Sequence, residues 1–218
     1  MTLRVLFLLF MIYSFIGWII EMLVVAMEKG RFTARGFLIG PYLPIFGVGA
    51  VLITLLLSKY SNDIFVLFIM SSFLGAGLEY VVSYILEKVF NTRWWNYERD
   101  RFNLNGRVCL STTIGFGILG VMMVLFFNPL ILTMLNNLSE IVLNFTAIIL
   151  AVIFILDTII SFVIISGIKT VNFGKYKDTT EEISDKVREI LREKSILSRR
   201  LINAFPDLKV SLNKKSDK

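Results

Sequence analysis

Five long apolar stretches follow one another along the chain, separated by short polar segments. They cover about residues 3–27, 37–57, 64–86, 108–127 and 141–168. Each is close to or above the roughly 20 residues that a helix needs to cross the hydrocarbon core of a bilayer. The pattern predicts an all-α, polytopic membrane bundle over residues 1–168 with five transmembrane helices. We expect the first stretch to be retained, because it is longer than the apolar core of a signal peptide.

Prolines and glycines refine two of these spans. Asn128-Pro129 is expected to close the fourth span, because proline breaks the interior of a helix. The second span contains Gly40-Pro41, Pro44 and Gly47. These residues predict a kinked second helix that packs closely on its neighbours.

The composition supports a membrane protein and removes several kinds of chemistry. Hydrophobic residues make up 56% of the chain and charged residues 18%, against roughly 45–50% and about 25% in soluble domains. With no histidine and one cysteine, Cys109, the chain has no Ser-His-Asp triad, no histidine metal ligand and no internal disulfide. It also lacks the G-x-x-x-x-G-K-S/T loop of ATPases. We expect no metal and no cofactor, and the balance is against an enzyme.

Lysine and arginine lie almost entirely on one side of the predicted bundle. Segments 28–37 and 87–107 and the tail after residue 168 together carry 21 of them, whereas the other connections carry 2. Cytoplasmic segments of membrane proteins are enriched in these residues. The charge pattern therefore predicts a cytoplasmic-membrane protein with its N-terminus outside and its C-terminus in the cytoplasm.

The tail, residues 169–218, is predicted to carry an amphipathic helix over about 179–205. Thr179 and Glu182 fit a capping box, and apolar residues recur at helical spacing after them. The tail has 13 basic and 8 acidic residues, so it holds most of the net charge. The helix either lies on anionic lipid or on the bundle, or it docks a cytosolic partner protein. No nucleic-acid partner is expected.

Two of the predicted hairpins share a sequence pattern. Residues 14–21 are SFIGWIIE and residues 72–79 are SFLGAGLE, which gives S-F-I/L-G-x-x-I/L-E in the first and third spans. Phe46-Gly47 in the second span likewise resembles Phe116-Gly117 in the fourth. We interpret the two hairpins as parallel copies related by an axis along the membrane normal.

Three carboxylates, Glu21, Glu79 and Asp157, lie inside the predicted spans, in their cytoplasmic halves. A charge near the bilayer centre costs about 2.5–3.5 kcal/mol on insertion scales, so it marks a functional site by default. One interpretation is an inward-facing polar cavity with Glu21 and Glu79 at its floor, Arg35 and Arg107 at its mouth, and Asp157 deeper. The other is that the acids pair with the two arginines and only lock the helices together.

The polar loop between the third and fourth spans adds further candidates. Trp95, Tyr97, Asn103 and Asn105 are amphipathic or hydrogen-bonding residues at the mouth of the proposed cavity. They form either a lid over it or a structural plug.

Several of these segments together resemble one bacterial family, catalogued as putative ABC-transporter permeases (type IV). The resemblance covers nearly the whole chain. It is carried by YSFIGWIIE (13–21), RGFLIGPYLPIFG (35–47), Leu78-Glu79-Tyr80, Trp95-Asn96-Tyr97, FNLNGR (102–107) and AFPDLK (204–209). The resemblance implies a permease that needs a separate ATPase, which the C-terminal helix would dock. Five spans also imply self-association to complete a pathway.

Three functions follow from these observations as hypotheses. The first is a permease-like transporter subunit, in which close carboxylates suit cation or proton coupling and close arginines suit an anionic substrate. The second is an intramembrane lipid-modifying enzyme, in which two carboxylates beside arginines act as general acid and base. The third is a non-catalytic scaffold or regulatory subunit in the lipid bilayer.

Overall fold

The computed structural model describes residues 1–30, 36, 38–90, 92–169 and 209–210, and this part of the chain is helical almost throughout. Its elements, in chain order, are α1 (Leu3–Lys29), α2 (Pro44–Leu57), a 3-10 turn (Ser58–Tyr60), α3 (Ile64–Phe90), β1 (Thr92–Arg93), α4 (Leu110–Met122), a π-helical turn (Met123–Phe127), α5 (Asn128–Asn136), α6 (Glu140–Lys169) and β2 (Lys209–Val210). The two short strands pair antiparallel, with Thr92 opposite Val210. The predicted tail helix over 179–205 and Arg35 lie outside the described residues.

Among the described residues, four helices are long and apolar enough to cross a membrane. They are Leu3–Met27, Ile64–Phe90, Leu110–Asn136 and Glu140–Val163, and Pro44–Tyr60 is a shorter apolar helix. The predicted all-α membrane bundle is therefore confirmed for the described residues, with four of its helices long enough to span the bilayer.

The second helix begins at Pro44, so the prediction that it starts near residue 37 with an internal kink is wrong. Proline suits the first turn of a helix, where its missing N–H has no hydrogen bond to lose. Gly36, with φ of 117°, adopts a backbone conformation that favours glycine. Segment 38–43 is consequently non-helical, and α2 is shortened rather than kinked.

The fourth span does not close at Asn128-Pro129, contrary to the prediction. The helix continues as one apolar unit from Leu110 to Asn136. Within a regular α-helix the ring of Pro129 would clash with the carbonyl group four residues earlier. The π-helical turn Met123–Phe127 directly precedes α5, and this local widening accommodates the proline.

Glycine and phenylalanine form the same contact in both hairpins. A methyl group at Gly17 in α1 would lie 2.2 Å from the ring of Phe46 in α2, and one at Gly75 in α3 would lie 2.5 Å from Phe116 in α4. Each phenylalanine therefore rests on a helix surface that only glycine leaves open.

A second glycine contact is also repeated, one turn further along each hairpin. A methyl group at Gly47 would lie 2.2 Å from Ser14 Oγ, and one at Gly117 would lie 2.2 Å from Ser72 Oγ. α1 with α2 and α3 with α4 therefore pack closely through matching residue types.

A buried polar network lies on the other side of these glycine contacts from Glu21 and Glu79. The Tyr13 hydroxyl donates to Asn128 Oδ1 over 2.7 Å, and Asn128 Nδ2 donates to Thr54 Oγ1 over 3.0 Å. All three side chains are less than a tenth exposed. The network joins α1, α2 and α5 beside a cluster of buried apolar side chains.

Candidate functional site

Glu79 is a buried carboxylate on α3, with 7% of its surface exposed. The Tyr97 hydroxyl donates to its Oε1 over 3.0 Å, and Thr112 Oγ1 lies 3.2 Å from its Oε2. Thr112 also lies 3.0 Å from the carbonyl oxygen of Cys109. Since a hydroxyl has one proton, Thr112 donates to one of these acceptors at a time. Glu79 is thus held by neutral hydroxyl groups from the α3–α4 loop (residues 92–109) and from the first turn of α4.

Glu21 on α1 belongs to the same acidic cluster. Burial raises the pKa of the Tyr97 phenol far above its ordinary value, and the negative charges of Glu79 and Glu21 raise it further. Tyr97 is consequently protonated, and acts as a hydrogen-bond donor, throughout the physiological pH range. The structure therefore brings together three predicted residues, Glu21, Glu79 and Tyr97, and we call them, with Thr112, the carboxylate site.

Arg107 is buried against α3, but its ionic partner is Glu87. Its Nη1 lies 2.8 Å from Glu87 Oε2, and it also donates to Ser83 Oγ over 3.3 Å. Arg93 Nε lies 3.2 Å from the same Glu87 oxygen. In the described residues, the ion pair of Arg107 is therefore with Glu87, two helical turns beyond Glu79.

The rings of Tyr80 and Tyr84 complete the surroundings of the Arg107 guanidinium, with centroids at 5.7 and 5.5 Å. Cation–π contacts of this kind are strongest where water is excluded. Arg107 is thus fixed on α3 by an ion pair, a hydroxyl group and two rings.

The α3–α4 loop is a folded unit packed beside the last turns of α3. Trp95 Nε1 donates to the carbonyl group of Arg107 over 3.0 Å, and Asn105 Nδ2 donates to the Tyr80 hydroxyl over 3.0 Å. Asn103 Oδ1 accepts from the amide of Gly106 over 3.0 Å. Trp95, Asn103 and Asn105 therefore shape the loop, whereas Tyr97 is the member of the predicted set that reaches the carboxylate.

Asp157 on α6 is bound to the non-helical segment before α2. The amides of Ile39 and Gly40 donate to it over 2.9 and 2.7 Å, Ser161 Oγ donates over 2.9 Å, and the Tyr42 hydroxyl also donates. In the part of the chain that the structure describes, Asp157 is thus grouped with segment 38–43 and not with Glu21 and Glu79.

The sequence interpretation missed three residues that complete these contacts. Thr112 and Tyr42 donate to the acids, and Glu87 binds both arginines. Glu79, Ser83 and Glu87 are spaced by four residues, so they share one face of α3. That spacing is the signal that could have identified Glu87.

Comparison with models of known protein families shows to which family the chain belongs. The model of the family described as "Putative ABC-transporter type IV" matches residues 8–162. The chain belongs to this family. The match covers every described residue of the carboxylate site and Asp157, and it confirms the resemblance found in the sequence. Searches of curated proteins and of solved structures each gave no match.

Proposed function

We propose that this member of the ABC-transporter type IV family is a permease-like subunit whose substrate or coupling ion binds at the carboxylate site. The observation that carries the proposal is Glu79, which is 7% exposed and held by two hydroxyl donors from different elements. In the described residues none of its hydrogen-bond donors is a cation. A carboxylate at membrane depth that no cation among the described residues binds costs free energy. Such residues mark ion and substrate pathways.

The late starts of α4 and α2, each after a stretch of irregular backbone, support a binding site beside Glu79. Thr112, in the first turn of α4, meets Glu79 although α3 continues for eleven more residues to Phe90, about 16 Å at 1.5 Å per residue. α2 is likewise preceded by the non-helical segment 38–43. Irregular backbone at membrane depth is tolerated where it is buried in protein or lines a cavity. Short, interrupted segments in corresponding halves are typical of transporter binding sites.

The charge of the site favours a cation or a proton. Glu21 and Glu79 contribute like charges to one cluster, so uptake of a positive charge between them relieves their repulsion. Arg107 is bound to Glu87 instead, which argues against the anionic-substrate and lipid-modifying alternatives. We infer that the repeated contacts of Gly17 with Phe46 and of Gly75 with Phe116 reflect two copies of one hairpin around this site.

We further propose the arrangement in the cell. The α3–α4 loop and the tail lie in the cytoplasm, and a separate ATPase binds the tail helix over 179–205, as the family membership suggests. Self-association completes the pathway, and the remaining apolar surface faces lipid. Recovery of a cytosolic ATPase with the full-length protein, and its loss after deletion of 179–205, would support this arrangement.

The central test replaces both acids with their neutral amides. A strain that lacks the protein is complemented with wild type or with Glu21→Gln and Glu79→Gln together, and its ion tolerance and metabolite content are compared. The purified proteins are also reconstituted, and proton, sodium and potassium fluxes are measured. The double variant is expected to lose both complementation and flux.

The matched control is Glu140→Gln, which neutralises a carboxylate at the other end of the bundle whose side chain is 79% exposed. It is expected to behave as wild type. A double variant that folds normally and still complements and conducts as wild type would show that the carboxylate site is not a transport site.

A further inference from the structure

An aromatic pair lies between the two hairpins. Phe46 from α2 and Phe116 from α4 approach edge to face, with ring centroids 6.5 Å apart. Each ring is seated on a glycine of its own hairpin, Gly17 for Phe46 and Gly75 for Phe116. The pair is therefore the place where matching positions of the hairpins meet.

The pair lies next to the carboxylate site. Gly17 and Gly75 each precede a site acid, Glu21 and Glu79, by four residues, which is about 6 Å along a helix. Thr112, which contacts Glu79, precedes Phe116 by the same spacing. The two rings consequently lie one helical turn from the carboxylates, toward the opposite end of the bundle.

Buried polar groups continue on the far side of the rings. Ser71 is fully buried, and its Oγ has no hydrogen-bond partner among the described residues. It lies one turn beyond Gly75 and faces Gly120 of α4, whose added methyl group would be 2.4 Å from it. The network of Tyr13, Asn128 and Thr54 follows. Polar residues thus occur on both sides of the aromatic pair along the same helix interface.

We propose that Phe46 and Phe116 form a hydrophobic barrier that separates the carboxylate site from the polar groups in the other half of the membrane. This inference rests on the proposed function. Apolar constrictions block hydrated ions because the passing ion would lose its water without gaining polar partners. The two rings contact each other edge to face, so a movement that parts them opens the barrier.

The barrier is tested by thiol accessibility in a Cys109→Ser background. Single reporters are placed on the near side, at Thr112→Cys, and on the far side, at Ser71→Cys. A cationic, membrane-impermeant methanethiosulfonate is applied to membrane vesicles of both orientations. Thr112→Cys is expected to react from one side with both rings present, whereas Ser71→Cys is not. Phe46→Ala with Phe116→Ala is expected to raise the labelling rate of Ser71→Cys from that side by about tenfold or more.

The matched control removes another aromatic pair. Phe10 and Phe154 meet edge to face at 5.3 Å between α1 and α6, so their replacement by alanine removes the same volume outside the interface between the hairpins. This variant is expected to leave Ser71→Cys unreactive. If the double alanine variant at the barrier aggregates, the single variants Phe46→Ala and Phe116→Ala are scored in the same way.

The outcomes separate the two proposals. The barrier is overturned if Ser71→Cys reacts while both rings are present, or if it stays unreactive in folded protein that lacks them. In either case the proposed carboxylate site still stands if Thr112→Cys reacts. Thr112→Cys that reacts from neither side overturns both proposals, because no accessible site then exists for the rings to close.

Discussion

The Asp157 carboxylate supplies hydrogen-bond acceptors for non-helical backbone inside the membrane. Segment 38–43 is non-helical, so its N–H groups lack the partners that a helix would supply, and unsatisfied groups in hydrocarbon cost several kcal/mol each. The Asp157 carboxylate accepts from the amides of Ile39 and Gly40 and from the Tyr42 hydroxyl. These contacts account for a charged residue in α6, because its carboxylate binds the N–H groups of the non-helical segment before α2.

Asp157→Asn is expected to destabilise the protein by roughly 2–4 kcal/mol, since hydrogen bonds to a charged group are worth about 1.5–3 kcal/mol each. The amide also places a donor against N–H donors. Thermal unfolding in detergent measures the loss. Asp63→Asn is the matched control, because Asp63 accepts from the amide of Val66 at the exposed start of α3 and asparagine caps helices equally well. Equal melting temperatures for the two variants would refute the role of Asp157.

Tyr97 provides a prediction about pH. Burial and the charges of Glu79 and Glu21 raise the pKa of Tyr97 in the folded protein. A tyrosine in the unfolded chain ionises at about pH 10. Above that pH the unfolded chain releases the proton and the folded protein retains it, so stability falls as pH rises. Wild type and Tyr97→Phe are expected to give the same tyrosinate absorbance while folded. After denaturation, the tyrosinate absorbance of Tyr97→Phe should be lower than that of wild type by one tyrosine. The same difference between the two folded proteins would contradict the prediction.

At the residue scale, the sequence signals for the candidate acids are local. A carboxylate inside an apolar run and a repeated S-F-I/L-G-x-x-I/L-E pattern are visible in the sequence, and they selected Glu21 and Glu79. The pairing of Arg107 with Glu87 was not predicted, because it depends on the α3–α4 loop folding back along α3. Spacing along the chain gives the faces of a helix but not the path of an irregular loop.

At the scale of elements, close packing within each hairpin depends on glycines that face a neighbouring helix. A methyl group at Gly47 would lie 2.4 Å from the backbone oxygen of Phe10, whereas one at Gly77 or Gly115 meets nothing within 4 Å. A side-chain neighbour can move aside, but backbone cannot without shifting the helix. Gly47 is therefore the most demanding of these positions.

Gly47→Ala is expected to destabilise the protein by about 1–3 kcal/mol through overpacking. Gly77→Ala, the control, is expected to be neutral or to stabilise by up to ~1 kcal/mol, because alanine is the better helix former. Both are scored by thermal unfolding in the same detergent. A Gly47→Ala protein as stable as Gly77→Ala would mean that α1 and α2 are not packed as closely as described.

The helix ends were the least predictable feature of the elements. The apolar stretches can be read directly from the sequence, but hydropathy reports apolar length and not backbone path. Segment 38–43 is apolar and yet non-helical, because its amides find an acceptor on α6. Pro129 does not end its helix, because the π-helical turn before it absorbs the strain. Both outcomes depend on compensation that the local sequence does not show.

At the scale of the whole molecule, the position of α2 determines the topology. α2 has 14 residues, about 21 Å at 1.5 Å per residue, which is less than the roughly 30 Å of the hydrocarbon core. The rest of the distance can be covered by segment 38–43, which Asp157 anchors to a long helix. The pairing of Thr92–Arg93 with Lys209–Val210 brings the α3–α4 loop and part of the tail together at one end. The basic residues of the α3–α4 loop therefore lie at that end, and enrichment in lysine and arginine is typical of a cytoplasmic face.

We therefore expect five crossings, with the α2–α3 turn outside the cell and the α3–α4 loop inside. In a Cys109→Ser background, Asn62→Cys should react with an impermeant thiol reagent in intact cells. Asp100→Cys, which is also at an exposed position, should react only in inverted vesicles. If α2 instead enters and leaves the membrane on the same side, the exposed position Thr2→Cys and Asn62→Cys will react from opposite sides, because only α1 then crosses the membrane between them. A re-entrant α2 would also leave the two hairpins with different topologies, and would thereby remove the support for an internal duplication around Glu21 and Glu79.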